Sequence, residues 1–423
     1  MKDNAQRLVV NGGIRLGGEI TLQGAKNSAL PILAATLVTK GESVIHNCPR
    51  LCDVNSALRI LTHLGLSCKR EGASVVINCD TLKTSEITQK LMRSMRSSIV
   101  FLGAVISKLG ECSLSLPGGC ELGPRPVDMH IAAFRKMGVE VVENYPKIEC
   151  KTPNGIKGAN ILLPFPSVGA TENIMLAACK ARGKTIIKNA AREPEITDLA
   201  GYLKRCGAKI SGEGTSTVVI EGVKELYGCE YSVMPDRIAA ATYMSACAIT
   251  NGSITIKNSN PQDLESVTEV FDCMGCTVYA YSDTMHLTSK KPLRAVKSIK
   301  TMPYPGFPTD AQAIVAAPLC IAQGTSVITE NIFENRFSYT GELSRMGADI
   351  KTQGKIAVIE GVKKLGAATL YATDLRGGAA MVIASLAAQG KSEIYDIAHI
   401  DRGYDSIENT LSLLGADIKR TDI

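Results

Sequence analysis

Residues 346–350 read "MGADI" and residues 414–418 read "LGADI". In each, an apolar residue closing an amphipathic stretch is followed by glycine and then by alternating, strand-like residues. Glycine in that place supplies the left-handed backbone that ends many helices. The same punctuation recurs as "LGLSC" at 64–68, "MGVEV" at 137–141, "CGAKI" at 206–210 and "MGCTV" at 274–278. The glycines, Gly65, Gly138, Gly207, Gly275, Gly347 and Gly415, are separated by 73, 69, 68, 72 and 68 residues.

A second marker keeps the same time. An Ala-rich apolar stretch runs into glycine and then a β-branched strand at Gly41, Gly110, Gly183, Gly252, Gly324 and Gly390, with gaps of 69, 73, 69, 72 and 66. Two markers with one period near 70 residues define six copies of a module. That period is too long for a solenoid unit, which spans about 20 to 50 residues. Each copy holds two helices and several strands, so the fold class is mixed α/β (α+β). Stretches such as "SALPILAATLV" are apolar on nearly every face and predict buried helices. Others, such as "VNSALRILTHL" and "YDSIENTLSLL", are amphipathic and predict outer helices. Six modules in 423 residues suggest two domains of three modules, with strands wrapped around the apolar helices.

Composition narrows the partners. The chain carries 47 Lys and Arg against 41 Asp and Glu, a dispersed net charge of +6. Aromatic residues are 4% of the chain and Trp is absent, so stacking platforms for nucleic acid are not expected. The longest apolar runs are too short to span a bilayer, and "MKDNAQRLVV" has no secretory apolar core. The expectation is a cytoplasmic protein with no membrane partner, its fourteen cysteines reduced. The CxxC at Cys273 to Cys276 lacks a second ligand pair, so no metal site is expected. "ARGKT" has Ala178 where a phosphate-binding loop needs glycine, and no dinucleotide fingerprint follows a strand.

The loops that precede the apolar helices read "GAKNSA", "RSMRSS", "GATENI", "MPDRIA", "PTDAQA" and "TDLRGG". Thr, Asp and Asn suit helix capping there, and Asp310 is expected at an N-cap. Lys26, Arg96, Arg237 and Arg376 have the wrong sign for a helix N-terminus. Cations there make sense when an anion joins them, or when carboxylates nearby pair with them. Asp310 is also a candidate general base. Arg336 in "ENRF" and Arg402 in "HIDRGY" occupy comparable loops of other modules. "SLPGGCELGPRPVDMH", residues 115–130, sets Cys120 in a Gly- and Pro-rich loop five residues before Arg125. A cation nearby favours the thiolate, and such a thiol can serve as nucleophile or acid.

Taken in order, "GAKNSALPIL", "MRSS", "LPGGCELGPRPVD", "AREPEI", "PGFPTD", "ENRF", "DLR" and "HIDRGY" resemble the UDP-N-acetylglucosamine 1-carboxyvinyltransferase family of enolpyruvyl transferases, from about Leu8 to Ile418. The resemblance implies two inside-out α/β barrel domains, each of three βαβαββ-type repeats with buried central helices, and an active site in the interdomain cleft. It implies a first domain over 22–233 and a second over 1–21 and 234–423. It implies transfer of the enolpyruvyl group of phosphoenolpyruvate, a co-substrate, to the 3-hydroxyl of UDP-N-acetylglucosamine, with no cofactor and no metal. Cys120 would be the acid and Asp310 the base, with Lys26, Arg125 and Arg402 on phosphoenolpyruvate and Arg376 nearby. Substrate contacts are implied at Asn27, Arg96, Pro126, Val127, Asp128, Met129, Phe165, Pro166, Ser167, Val168, Ile332 and Arg336. It further implies inhibition by fosfomycin, an epoxide that alkylates the cysteine, and the expected state is a monomer. Two other readings remain at this point: a 3-phosphoshikimate 1-carboxyvinyltransferase, and a non-catalytic nucleotide-sugar-binding paralogue.

Overall fold

The computed structural model describes residues 6–115, 127–144, 146–290 and 292–423. The chain divides into two compact units. One comprises residues up to Gln23 together with Pro235–Ile423; the other runs from Gly24 to Met234. The chain passes between them at Gln23–Gly24 and again at Met234–Pro235.

Among the described residues the strands form six four-stranded sheets. Each sheet has the same plan: a short strand parallel to a second, which is antiparallel to a third, which is antiparallel to a fourth. In the Gly24–Met234 unit, Glu111–Ser115 pairs in parallel with Glu86–Ile87 and antiparallel with Lys147–Lys151, which pairs with Glu140–Asn144. Strands alternate fully buried residues with more accessible ones, as in Ser74–Asn78, where Val75 and Ile77 are buried and Ser74, Val76 and Asn78 half-buried. That alternation gives each sheet one face for the core.

The buried faces close over central helices. In the Pro235–Ile423 unit these are Arg237–Ile249, Thr309–Leu319 and Leu375–Ala387, which pack on one another. All thirteen residues of Arg237–Ile249 are buried. In the other unit Phe101–Leu109 lies against both Lys26–Ala35 and Val168–Ala178. Small residues allow the approach: a Cβ on Gly103 would meet the Asn173 carbonyl oxygen at 2.3 Å. The second helix of each module is amphipathic, as expected. Cys52–Leu64 buries Val54, Ala57, Ile60, Leu61 and Leu64 on one side.

The first marker's glycines all take positive φ, from 82° at Gly138 to 111° at Gly65. The second marker departs once. Asn251 takes the left-handed turn at φ 52°, while Gly252 is required for a different reason, because a Cβ there would lie 2.5 Å from the Leu16 carbonyl oxygen. The N-terminal strands are also unlike the others. Gln6–Asn11 inserts between Lys391–Tyr395 and Asp417–Asp422, and Gly17–Thr21 lies parallel to Ser253–Lys257.

Candidate active site

In the Pro235–Ile423 unit the mouths of the central helices gather charge. Asp236 caps Arg237–Ile249, accepting from the N–H groups of Ile238 and Ala239 at 2.9 and 3.0 Å. Asp374 caps Leu375–Ala387 in the same way, from Arg376 and Gly377 at 2.9 and 3.0 Å. These caps satisfy the free amides of the first turn. Thr309–Leu319 differs. Pro308 stands at its N-cap, and Asp310 lies in the first turn rather than at the cap expected from sequence. Its carboxylate is therefore available for other partners.

Those partners are two of the singled-out arginines. Arg336 Nη2 donates to Asp310 Oδ1 at 2.7 Å. Arg376 donates to Oδ2 from Nη2 and Nε at 3.1 and 3.3 Å. The Asp310 side chain keeps 26% of its exposure, whereas those of Arg336 and Arg376 keep 4% and 2%. Paired guanidiniums fix a carboxylate in direction as well as in charge. Burial works against the Arg376 cation, but Tyr404, Asp310 and Asp236 overcome that cost and push its pKa up.

Glu330 organises the next loop. Fully buried, it accepts from the Thr301 and Thr309 hydroxyls at 2.8 and 2.9 Å. It also accepts from the N–H groups of Ile332 and Phe333 at 2.8 and 3.1 Å. Glu330 thus ties half-buried Ile332 to the start of the Asp310 helix. Arg402 is half-buried and closes the short 3₁₀ helix Ile397–Arg402.

In the Gly24–Met234 unit Lys26 opens the helix Lys26–Ala35, with Nζ 3.7 Å from Asp53 Oδ2. Asn27 beside it is half-buried. Next along the helix, Ser28 donates to Asp198 Oδ2, which also accepts from the Met234 N–H at 3.1 Å. Tyr231 donates to Oδ1 at 2.7 Å. Burial raises the Asp198 pKa, and these three donors oppose the shift. Arg96, half-buried, begins the 3₁₀ turn Arg96–Val100 that leads into Phe101–Leu109.

Val127 is the N-cap of Asp128–Lys136, with Asp128 exposed and Met129 half-buried. Behind them His130 Nδ1 meets Asn173 Nδ2 at 2.8 Å, and Asn173 Oδ1 accepts from Gly103 N–H at 2.8 Å. Phe165, 39% exposed, precedes Pro166 and Ser167, whose hydroxyl caps the helix beginning at Val168. Cys120, Arg125 and Pro126 lie outside the described residues.

Asp310, Arg336 and Arg376 are thus joined, and Lys26 is joined to Asp53. Sequence reasoning missed Tyr404, Thr242, Glu330, Asp198 and Tyr231. Tyr404 stands within "HIDRGY", two residues past the singled-out Arg402; the other four carry no spacing signal. Among the described residues no group of three or more His, Cys, Asp or Glu side chains is placed to hold a metal ion, and no helix is long and apolar enough to cross a membrane.

The family model described as EPSP synthase (3-phosphoshikimate 1-carboxyvinyltransferase) matches residues 10–411. UDP-N-acetylglucosamine 1-carboxyvinyltransferase 2 of Caldanaerobacter subterraneus is 51% identical over 97% of this chain and 98% of its own. UDP-N-acetylglucosamine 1-carboxyvinyltransferase 1 of Symbiobacterium thermophilum is 46% identical over 98% and 95%. Among solved structures, the enolpyruvyl transferase NikO from Streptomyces tendae matches with a TM-score of 0.89 at 23% identity, covering 99% of this chain and all of that one. An EPSP synthase from Acinetobacter baumannii matches with a TM-score of 0.75 at 17% identity, over 99% and 100%. These two share the fold.

Proposed function

The chain belongs to the UDP-N-acetylglucosamine 1-carboxyvinyltransferase family, and from that premise we propose how it moves the enolpyruvyl group of phosphoenolpyruvate to the 3-hydroxyl of UDP-N-acetylglucosamine, releasing phosphate, at the start of peptidoglycan precursor synthesis. The observation that carries the reading is the Asp310 carboxylate, aimed by Arg336 and Arg376 at the mouth of a central helix.

The steps balance as addition and elimination. Cys120 delivers a proton to the methylene carbon of phosphoenolpyruvate, which makes the adjacent carbon electrophilic. Asp310 takes the proton of the sugar hydroxyl as its oxygen bonds to that carbon. The Cys120 thiolate then takes a proton back from the new methyl group as the carbon–oxygen bond to phosphate breaks, restoring the double bond, and the proton held by Asp310 leaves with the phosphate. Lys26, Arg125 and Arg402 hold the carboxylate and phosphate, where preorganised cations stabilise developing charge. Asn27, Arg96, Asp128 and the Phe165–Val168 run contact the nucleotide-sugar. Phosphoenolpyruvate carries its own leaving group, so the chemistry calls for neither cofactor nor metal. The protein acts as a cytoplasmic monomer, and fosfomycin inactivates it by alkylating Cys120.

Phosphate release tests this reading. Phosphate is expected only when phosphoenolpyruvate and UDP-N-acetylglucosamine are present together. Release with shikimate 3-phosphate in place of the nucleotide-sugar would overturn the choice of acceptor. Mass spectrometry checks the thiol: a fosfomycin adduct is expected on Cys120, and its absence would remove the assigned role.

A further inference from the structure

Tyr404 is buried, with 1% of its surface exposed, yet its hydroxyl is at the centre of a polar chain. Arg376 Nη1 donates to the Tyr404 oxygen at 3.1 Å. The Tyr404 hydroxyl lies 2.7 Å from Thr242 Oγ1. Thr242 in turn donates to the Ile238 carbonyl at 2.9 Å. A hydroxyl has one proton to give. Thr242 spends its proton on Ile238, so the bond between the two hydroxyls must run from Tyr404 to Thr242. That leaves the Tyr404 oxygen as an acceptor facing Arg376. The order is therefore fixed: Arg376 to Tyr404, Tyr404 to Thr242, Thr242 to the backbone of a central helix.

The other edge of the same guanidinium grips Asp310 through Nη2 and Nε. A guanidinium is planar and rigid, so a restraint on Nη1 orients Nη2 and Nε as well. The Arg376 carbon also lies 5.5 Å from the Tyr404 ring centroid. Gly403 permits this seating, since a Cβ there would meet Leu375 Cδ2 at 2.7 Å.

We infer that Tyr404 is a positioning residue for proton removal at Asp310: its hydroxyl, anchored on Thr242, locks the buried Arg376 guanidinium in the orientation that aims the Asp310 carboxylate. The inference rests on the proposed transfer reaction and names a residue that acts through Arg376. Tyr404 stands two residues beyond Arg402, so the same anchor ties the Arg402 turn to the central helices.

The test is Tyr404→Phe, which keeps the ring and removes only the hydroxyl. Losing a hydrogen bond to a buried charge lowers kcat by about tenfold to a hundredfold. The KM for UDP-N-acetylglucosamine should stay within about threefold, because a group that acts on the transition state alone spares ground-state binding. In an Arg376→Lys background the same change should add less than about threefold, because the two act as a unit. Thr242→Val, which frees the Tyr404 hydroxyl without deleting it, should lower kcat by a smaller factor. Wild-type kcat in Tyr404→Phe, or an equal loss in both backgrounds, would overturn the inference and leave the reaction standing. Absence of phosphate release by the wild-type protein would end both.

Discussion

At Asp310 one carboxylate neutralises two buried arginines and, in the proposed reaction, also takes the proton of the sugar hydroxyl. Truncation confounds the two, because Asp310→Ala strands Arg336 and Arg376 without their partner. We expect that variant to lose about 3 to 5 kcal/mol of stability as well as turnover. Asp310→Glu separates the roles. It keeps the charge but moves the carboxylate by about one carbon–carbon bond, so stability should change by less than about 1 kcal/mol while kcat falls by about a hundredfold or more. Denaturant unfolding and phosphate release, measured on the same samples, decide it; a Glu variant with wild-type kcat would deny Asp310 the proton. The thiols give a second expectation. Burial pushes Cys150, Cys179, Cys247 and Cys320 up to about 12, and Cys48 and Cys276 up to about 11. Thiols raised in this way stay protonated and unreactive at neutral pH. Among the described cysteines, Cys52 and Cys273 are exposed and should be alkylated first, as peptide mapping after brief iodoacetamide treatment would reveal. Early modification of Cys179 or Cys320 instead would contradict the burial.

The elements obey rules that were partly visible in the letters. Central helices announced themselves because a helix buried on all sides must be apolar on all sides, and outer helices because one face must meet water. The left-handed glycines were visible because their backbone needs no distant partner. Close approaches between elements were not, since they depend on what lies opposite. Gly103 shows this: its neighbour is Asn173, seventy residues away. Gly103→Ala would drive a methyl into backbone and should cost about 1 to 3 kcal/mol or more. Gly41→Ala, at φ 74° with open space around its Cβ, should cost only about 1 kcal/mol of backbone strain. Equal melting temperatures for the two variants would undo the distinction. Asp198 was equally hidden, because a lone Asp on a helix looks like surface. Its raised pKa favours the protonated form in the folded unit. The stability this group contributes is therefore present below its ordinary value near 3.8 and is lost as pH rises through the folded value. Asp198→Asn should flatten that acid-side slope in pH-dependent unfolding, and an unchanged slope would assign it elsewhere.

Across the whole chain the sixfold period specified what each module contains, but not which strand completes each sheet. Gly17–Thr21 comes just before the Lys26 helix in sequence, yet it pairs with Ser253–Lys257. Glu230–Ser232 comes just before the Arg237 helix, yet it pairs with Glu42–His46. Local signals cannot report such exchanges, because a short strand offers the same edge to any register-compatible neighbour. The first strand carries the largest consequence. Gln6–Asn11 supplies hydrogen bonds to strands on both sides, and Leu8 and Val10 are fully buried. Removing residues 1–12 would leave two inner strand edges open and take two large side chains from one core, each worth about 1.5 to 3 kcal/mol. Hydrogen exchange should then show lost protection in Lys391–Tyr395 and Asp417–Asp422, while Glu42–His46 and Ser74–Asn78, in the other unit, keep theirs. Protection lost equally in both units would mean that they fold as one cooperative body; protection kept in both would mean that the first strand is dispensable. Selective loss is the outcome expected when an N-terminal strand completes a sheet built otherwise from the C-terminal half of the chain.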